Sequence, residues 1–410
     1  MGEVMAMNEI EQILAKAAGK AQVVPGEDIT IKVDLVISHD VTGPMATEEF
    51  EKIGIDRVFD KDKVVFVFDH IMPAATVDAK AMQNRVKVFS KKYQTVIYDK
   101  GQGVIHQVVA EKHPVSRGEV VIGADSHTCM AGAYGAIAIG VGATELAAAM
   151  ATGTMDIEVP EVYEIRLSGQ FSPGVYAKDL ILHLIGKYGT DGFTDKAVVY
   201  SGPAMAAMSL EEKMTIANMG IEMGAMISYF SQLEDIGPVV KQDHYDLGEI
   251  PPCIACPPSP GNVVPVKEIA GTPITQVVIG SCTNGRISDM KIAAEVLAGA
   301  QVHEDVTLII VPASDKIAQE MDDLGITKTL RGAGALVTNP GCGPCFGAHL
   351  GLLTQDDVAV STTNRNFPGR MGHREAKVYL ASPRTAAESA VAGNVVVPGT
   401  VKSLEGGVSS

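Results

Sequence analysis

The sequence predicts an α/β protein built on parallel sheets, and three observations predict it. Short apolar runs rich in Val and Ile alternate with longer amphipathic or alanine-rich stretches, the pattern of repeated strand–helix units. Those runs end alike, in turns that hold Asp, His, Ser or Cys, and in open α/β sheets that edge is where ligands bind. The composition, 46% hydrophobic and 20% charged with 42 Gly, is ordinary for such an enzyme. A chain of 410 residues suffices for two or three domains with real cores.

In chain order, Ile10, Ile13, Leu14 and Ala17 mark a first helix. The N-terminus, Met1 to Ala18, reads as a mixed acidic and apolar helix and not as a signal peptide. A strand over Ile29 to Ile37 runs out into Ser38-His39-Asp40-Val41-Thr42-Gly43-Pro44. A second, Val64 to Phe68, ends in Asp69-His70, and an amphipathic helix follows from about Asp78 to Lys92. The Gly-rich stretch Gly101 to Gln107 brings His106. The strand Glu119 to Ala124 ends in Asp125-Ser126-His127-Thr128-Cys129, before an alanine-rich helix over Thr144 to Ala151. A single histidine most often has a satisfied structural role. Three histidine-bearing turns at strand ends point together to a site.

A middle segment, 161–272, holds a strand (Val162 to Leu167), a helix (Ala177 to Tyr188) and a helix from Ser209 to about Met226. Asn218 and Glu222 are four apart, so they share one face of that helix, which is either a solvated face or, given its apolar neighbours, one turned into a cleft. Ser231 to Pro260 reads as an irregular, Pro-rich, acidic linker. The last segment, 273–410, alternates strands (Gln276 to Gly280, Val306 to Val311, Gly334 to Thr338, Val358 to Val360) with helices, a βαβ series that implies a parallel sheet.

The cysteines lie at strand ends of this last segment. Ser281-Cys282-Thr283-Asn284-Gly285-Arg286 follows one strand, and Asn339-Pro340-Gly341-Cys342-Gly343-Pro344-Cys345 follows another, with Phe346 to Leu350 able to open a helix. A thiolate near a helix start is electrostatically favoured. One Cys followed about sixty residues later by C-x-x-C offers three thiolates, which suits an iron–sulfur cluster with one position open. The same pair is also common in zinc sites and redox pairs, and lone cysteines are often core residues. Cys253 and Cys256 form another C-x-x-C, which with Cys342 and Cys345 offers a Cys₄ zinc set. The last polar turn, Ser361 to Arg370, carries Asn364 and two arginines five apart, Arg365 and Arg370, in a Gly/Pro setting that suits binding a carboxylate and equally suits one surface and one ion-paired arginine.

Composition excludes several classes. A formal net charge of −16 argues against nucleic-acid binding but not against an anionic substrate, because a local arginine cluster outweighs the global charge. No apolar run reaches the roughly 18 residues of a membrane helix. Six cysteines in so long a chain are no disulfide scaffold and fit a reducing cytoplasm.

Phe68-Asp69-His70, Gly123-Ala124-Asp125-Ser126-His127-Thr128, the two cysteine motifs around Cys282 and Cys342/Cys345, and Ser361 to Arg370 resemble, in kind and order, the aconitase superfamily. They are most similar to the large subunits of isopropylmalate isomerase and homoaconitase. The resemblance covers nearly the whole chain. It implies three α/β/α domains with parallel or mixed sheets around a central [4Fe–4S] cluster, held by Cys282, Cys342 and Cys345 with one iron not ligated by cysteine. It also implies that Asp69, His70, His106, Asp125 and His127 form an acid–base network, with His39, Ser126, Arg365 and Arg370 toward substrate. Asn218, Glu222, Asn284 and Asn364 would surround the cluster. The activity implied is a hydro-lyase acting on a branched malate-type diacid.

Two departures qualify the expectation. Single-chain aconitases continue into a swivelling domain with the serine base, and this sequence stops at Ser410, so a separate small subunit is expected to bring it. The stretch from about Met226 to Pro252 differs from the usual isopropylmalate pattern, which admits 2,3-dimethylmalate dehydratase or homoaconitase. Readings from other classes are an iron-sensing RNA-binding protein, which the acidic balance opposes, and a zinc-stabilised structural protein.

Overall fold

Residues 6–401 are described by the structure, a computed structural model. Met1 to Met5 of the expected N-terminal helix, and residues 402–410, lie outside them. The helix itself is Glu9–Ala17, closed at its start by the Asn8 side chain on the Glu11 amide.

The architecture is α/β, with three main sheets. The first has five parallel strands in the order Val96–Tyr98, Val64–Val67, Leu35–His39, Val120–Gly123, Ile137–Gly140. The second has four parallel strands in the order Ile227–Phe230, Ala197–Ser201, Val162–Ser168, Lys241–Asp246. The third has seven, in the order Val263–Pro265, Cys253–Ala255, Lys377–Ala381, Val358–Ser361, Gln276–Gly280, Thr307–Val311, Leu336–Val337, and is mixed because Cys253–Ala255 runs antiparallel to both neighbours. A two-stranded antiparallel ribbon joins Asp28–Lys32 to Thr154–Glu158.

The central strands are mostly apolar because both faces are covered. In Val64–Val67, Val64 and Phe66 enter one core while Val65 and Val67 enter another. In Gln276–Gly280, Val277 and Ile279 share one core and Val278 faces a second.

Strand order places the site. From Leu35–His39 the chain steps outward twice on one side, then returns to the other, so a crevice opens beyond Leu35–His39 and Val120–Gly123. The third sheet reverses likewise between Gln276–Gly280 and Val358–Ser361. The histidine turns follow the first reversal, and Cys282 and Asn364 follow the second.

Several sequence expectations are corrected. The strand expected over 29–37 is two strands, because the chain changes sheets between them: the Val33 amide bonds to the Gly153 carbonyl, the Asp34 amide to that of Val120. The stretch 231–260 is no irregular linker. Lys241–Asp246 is an edge strand whose polar, mostly exposed side chains hide its period. Cys253–Ala255, three residues after a proline pair, begins the third sheet ahead of residue 273. The strand expected over 334–338 is only Leu336–Val337. No helix opens at Phe346: the cysteine loop closes as a 3₁₀ turn, Gly343–Phe346, ended by Gly347 at φ 73°. The helix from Ser209 ends as α-helix at Asn218 and continues as a 3₁₀ turn, Met219–Met223. There Gly220 is pressed against Ser228, whose Oγ would be 2.4 Å from any Cβ.

The 3₁₀ helix Ser126–Tyr134 packs the first sheet's unit onto the second at Gly132, where a Cβ would lie 1.7 Å from the Ser228 carbonyl oxygen. A backbone atom cannot step aside as a flexible side chain can. Gly132→Ala is therefore expected to destabilise the fold by about 3 kcal/mol, the upper end for overpacking, read as a lower urea midpoint. An unchanged midpoint would show that the two units do not meet at this glycine.

Candidate functional site

The carboxyl edges of the first and third sheets line one small cavity. From the first come His70, His106, Asp125 and His127, with Val104 and Ile105. From the third come Cys282, Cys342, Cys345, Asn364 and Arg370.

On the first side, Asp125 is the hub. It caps the 3₁₀ helix Ser126–Tyr134, its Oδ1 accepting the His127 amide at 2.7 Å. The same oxygen is 2.8 Å from His106 Nε2, and Oδ2 is 3.5 Å from His39 Nε2 and 3.8 Å from His70 Nε2. Asp69 Oδ1 is 2.6 Å from His70 Nδ1, and Asp69 Oδ2 accepts the Ile105 amide at 2.7 Å, fixing the start of the helix Ile105–Lys112 that carries His106. The His39 and His70 rings stack with centroids 3.8 Å apart.

These contacts separate the two stacked rings in charge. Burial opposes a charged His70, but the Asp69 carboxylate wins and holds it up to about 9. His39, equally buried and repelled by His70, is pushed down to about 3. Burial pushes Asp125 up, yet the His106 charge and hydrogen bonds from His106 and His127 hold it well below the usual carboxylate range. In protein labelled with ¹⁵N-histidine, His70 is expected to stay doubly protonated and His39 neutral between about pH 5 and 8, the range in which an ordinary histidine titrates. A His39 midpoint near that of a free imidazole would contradict this arrangement.

His127 faces the second unit: its Nε2 is 3.0 Å from Glu222 Oε1, which also accepts Arg365 Nε at 2.8 Å. Ser126 Oγ is 3.5 Å from His127 Nδ1. Because the helix tightens after Asn218, Asn218 and Glu222 do not share an α-helical face. Asn218 Oδ1 instead accepts Thr283 Oγ1 at 3.0 Å and Asn364 Nδ2 at 3.4 Å. Asn284 does not line the cavity; its amide donates to Asp289 Oδ1 at 3.0 Å. Arg365 is likewise held at Glu222, outside the cavity lining.

All six cysteines are free thiols. Cys282 follows Ser281, a non-glycine residue at φ 70° and thus in a strained backbone region, as active-site turns often are. Gly343, between the other two, needs its φ of 66° and lies against Val311, which a Cβ would meet at 2.9 Å. Asn364 Nδ2 donates to Cys282 Sγ at 3.3 Å, Cys345 Sγ bonds to Asn364 Oδ1 at 3.4 Å, and Arg370 Nη2 reaches Cys345 Sγ at 4.0 Å. Burial pushes the Cys282 thiol up to about 12. A hydrogen bond from Cys342, with the Arg370 charge, holds Cys345 well below the usual thiol range.

The donor set fits an iron–sulfur cluster. Three buried soft thiols are supported by amide and guanidinium donors, and Arg370 Nε and Asn218 Nδ2 are buried without a partner. Among the described residues, only His39, Asp40, Asp69 and His70 gather three or more ligand atoms within 4.8 Å of one another, so the three thiols do not close on a single ion. Cys253 and Cys256 are not among the cavity residues, and Cys253 Sγ bonds to the Pro251 carbonyl at 3.2 Å. Cys129 is a buried neighbour of the His127 turn, its thiol on the Ala217 carbonyl at 3.2 Å.

Three further residues belong to this setting that the sequence pattern did not single out as site residues. Asp40 accepts the amides of Asp69, His70 and Ile71 at 3.3, 3.0 and 3.1 Å, and so shapes the Asp69-His70 turn. It stood in a strand-end turn already, so the same pattern points to it. Arg286 is buried and clamps the Cys282 and Thr283 carbonyls, each at 2.7 Å. Lys178 lies in a helix with no strand-end signal at all.

Fold and site together define an α/β protein whose Asp–His pairs and thiol triad, on two different sheets, share one cavity. The chain belongs to the aconitase family (aconitate hydratase), whose profile matches residues 11–236 and 240–393. It is 43% identical over 97% of its length to the 3-isopropylmalate dehydratase large subunit 1 of Methanopyrus kandleri, covering 99% of that protein. It is 43% identical over 96% of its length to a probable methanogen homoaconitase large subunit of Methanothermobacter thermautotrophicus, covering 97% of it. The fold also resembles the holo-form of Thermococcus kodakaraensis aconitase X, with a TM-score of 0.56 at 12% identity, over 94% of this chain and 100% of that one. Among the described residues, no helix is long and apolar enough to cross a membrane.

Proposed function

We propose that the chain is the large subunit of a heteromeric hydro-lyase that dehydrates and rehydrates a branched malate-type 2-hydroxy diacid, with 3-isopropylmalate the first candidate. The observation that carries this is the single cavity shared by the Asp–His pairs and the three thiols. The relatives' names support the substrate class, and the equal identity to the homoaconitase subunit makes homocitrate the second candidate. Free thiols throughout fit a reducing cytoplasm.

Cys282, Cys342 and Cys345 would hold a [4Fe–4S] cluster with one iron free of cysteine. When bound, it supplies a Lewis acid for a hydroxyl and a carboxylate oxygen. The chain's own residues do the rest. His70, fixed through Nδ1 by Asp69, keeps a proton on Nε2, 3.8 Å from Asp125 and so free to serve a departing hydroxyl. His106 and His127 hold Asp125 in place. Arg370 presents a guanidinium to a substrate carboxylate. Arg365, paired with Glu222, fixes the wall beside His127.

No serine base stands in the cavity lining among the described residues, so a small subunit carrying a swivelling domain is the expected source. The test is to purify the chain anaerobically and load iron and sulfide. It is then assayed with and without the candidate small subunit on isopropylmalate, dimethylmalate, homocitrate and citrate. Turnover is expected only from the pair. Full turnover by the lone chain would sink the two-subunit reading and make Ser126 the first suspect for the base.

A further inference from the structure

Lys178 is the second residue of the helix Ala177–Tyr188 and is 0% exposed. A buried ammonium is costly unless its hydrogen bonds are met and its charge is answered. Its Nζ donates to the Thr362 carbonyl at 2.7 Å and the Thr363 carbonyl at 2.6 Å. Both threonines are themselves fully buried. The adjacent Asp179 carboxylate is committed elsewhere, to the amides of Cys253 and Tyr176, each at 2.9 Å.

The turn that Lys178 grips is the one that grips the cysteines. Thr362 Oγ1 accepts the Gly280 amide at 2.9 Å, two residues before Cys282. Asn364 then donates to Cys282 Sγ and accepts from Cys345 Sγ. Burial pushes the ammonium down to about 7, and the charges that oppose this are first those of Cys282 and Cys345, then those of Asp289 and Glu222. A second-unit helix thus places a cation behind a third-unit thiol set, joined by one turn.

We infer that Lys178 is a positioning residue for the three-cysteine set: it fixes the Thr362–Asn364 turn and supplies the buried positive charge that balances the thiolates once they hold iron and sulfide. The inference rests on the cluster reading of the site. A fixed buried cation favours the more negative, reduced form of a cluster, so its removal lowers the reduction potential. A lysine that merely strapped two units together would change stability and leave the potential alone.

The experiment uses the full chain loaded with iron and sulfide, in wild-type form and as Lys178→Gln, Lys178→Met and Lys178→Arg. Lys178→Gln keeps a hydrogen-bond donor without the charge, Lys178→Met removes both, and Lys178→Arg keeps the charge. The readouts are iron content, the EPR-monitored midpoint potential and the thermal midpoint of the cluster-free chain. Lys178→Gln is expected to bind iron but with a lower midpoint potential, and Lys178→Arg to stay close to wild type. Lys178→Met is expected to lose iron several-fold faster to a chelator. A wild-type potential in Lys178→Gln, whatever its thermal midpoint, overturns the charge role. A wild-type chain that takes up no iron overturns the cluster reading itself, and with it this inference.

Discussion

Replacing Cys282, Cys342 or Cys345 by serine, one at a time, is expected to abolish iron uptake and turnover together, whereas Cys253→Ser and Cys256→Ser leave both largely intact. The first three thiols line the cavity, and Cys282 and Cys345 bond to Asn364; Cys253 and Cys256 do not line it. A serine hydroxyl remains protonated where a thiolate is needed, and a cluster with only two thiolate ligands is not retained. The measurement is iron and sulfide content with the visible spectrum of anaerobically reconstituted protein. Roughly four irons per chain are expected in the wild type and near none in the three variants. Loss of iron from Cys256→Ser would overturn the ligand assignment.

His70→Asn is expected to lower kcat by roughly 10²–10⁴, the usual worth of a positioned proton donor, with iron content unchanged. At about 1.4 kcal/mol per factor of ten, that is about 3–5 kcal/mol of barrier. The asparagine amide can still reach Asp69 Oδ1, so the turn survives while the proton on Nε2 is lost. Asp69→Asn serves as the companion, because it removes the charge that keeps His70 protonated and also weakens the Ile105 amide contact at the start of the His106 helix. If kcat for the assembled pair is unchanged in His70→Asn, the histidine is structural only.

Much of this site was legible because parallel strands buried on both faces leave unmistakable apolar runs, and each run ends at one sheet edge. His39, Asp69-His70, Asp125 to His127 and Cys282 were all found by that rule. It failed where burial is one-sided or the strand is short: Lys241–Asp246 exposes most of its side chains, and Cys253–Ala255 spans three residues between prolines. It also failed where tertiary packing overrode a local period, as at Gly220 against Ser228, which turns Asn218 and Glu222 toward different partners. Lys178 was illegible for another reason. Its partners are two carbonyl oxygens more than 180 positions away, and a backbone acceptor leaves no mark in composition or spacing.

The division of the cavity between two sheets bears on repair. Every thiol in it hangs from the third sheet, and every Asp–His pair from the first. Backbone hydrogen bonds join the two halves at the Cys342 amide on the Asp69 carbonyl at 3.0 Å, the Val104 amide on the Ala313 carbonyl at 2.8 Å and the Asp315 amide on the Gln102 carbonyl at 2.9 Å. If the thiols hold the proposed cluster, its oxidative loss would leave the proton-handling half standing, because Asp69 and Asp125 hold that half themselves. On the proposed cluster reading, such a chain would need reloading with iron and sulfide rather than refolding.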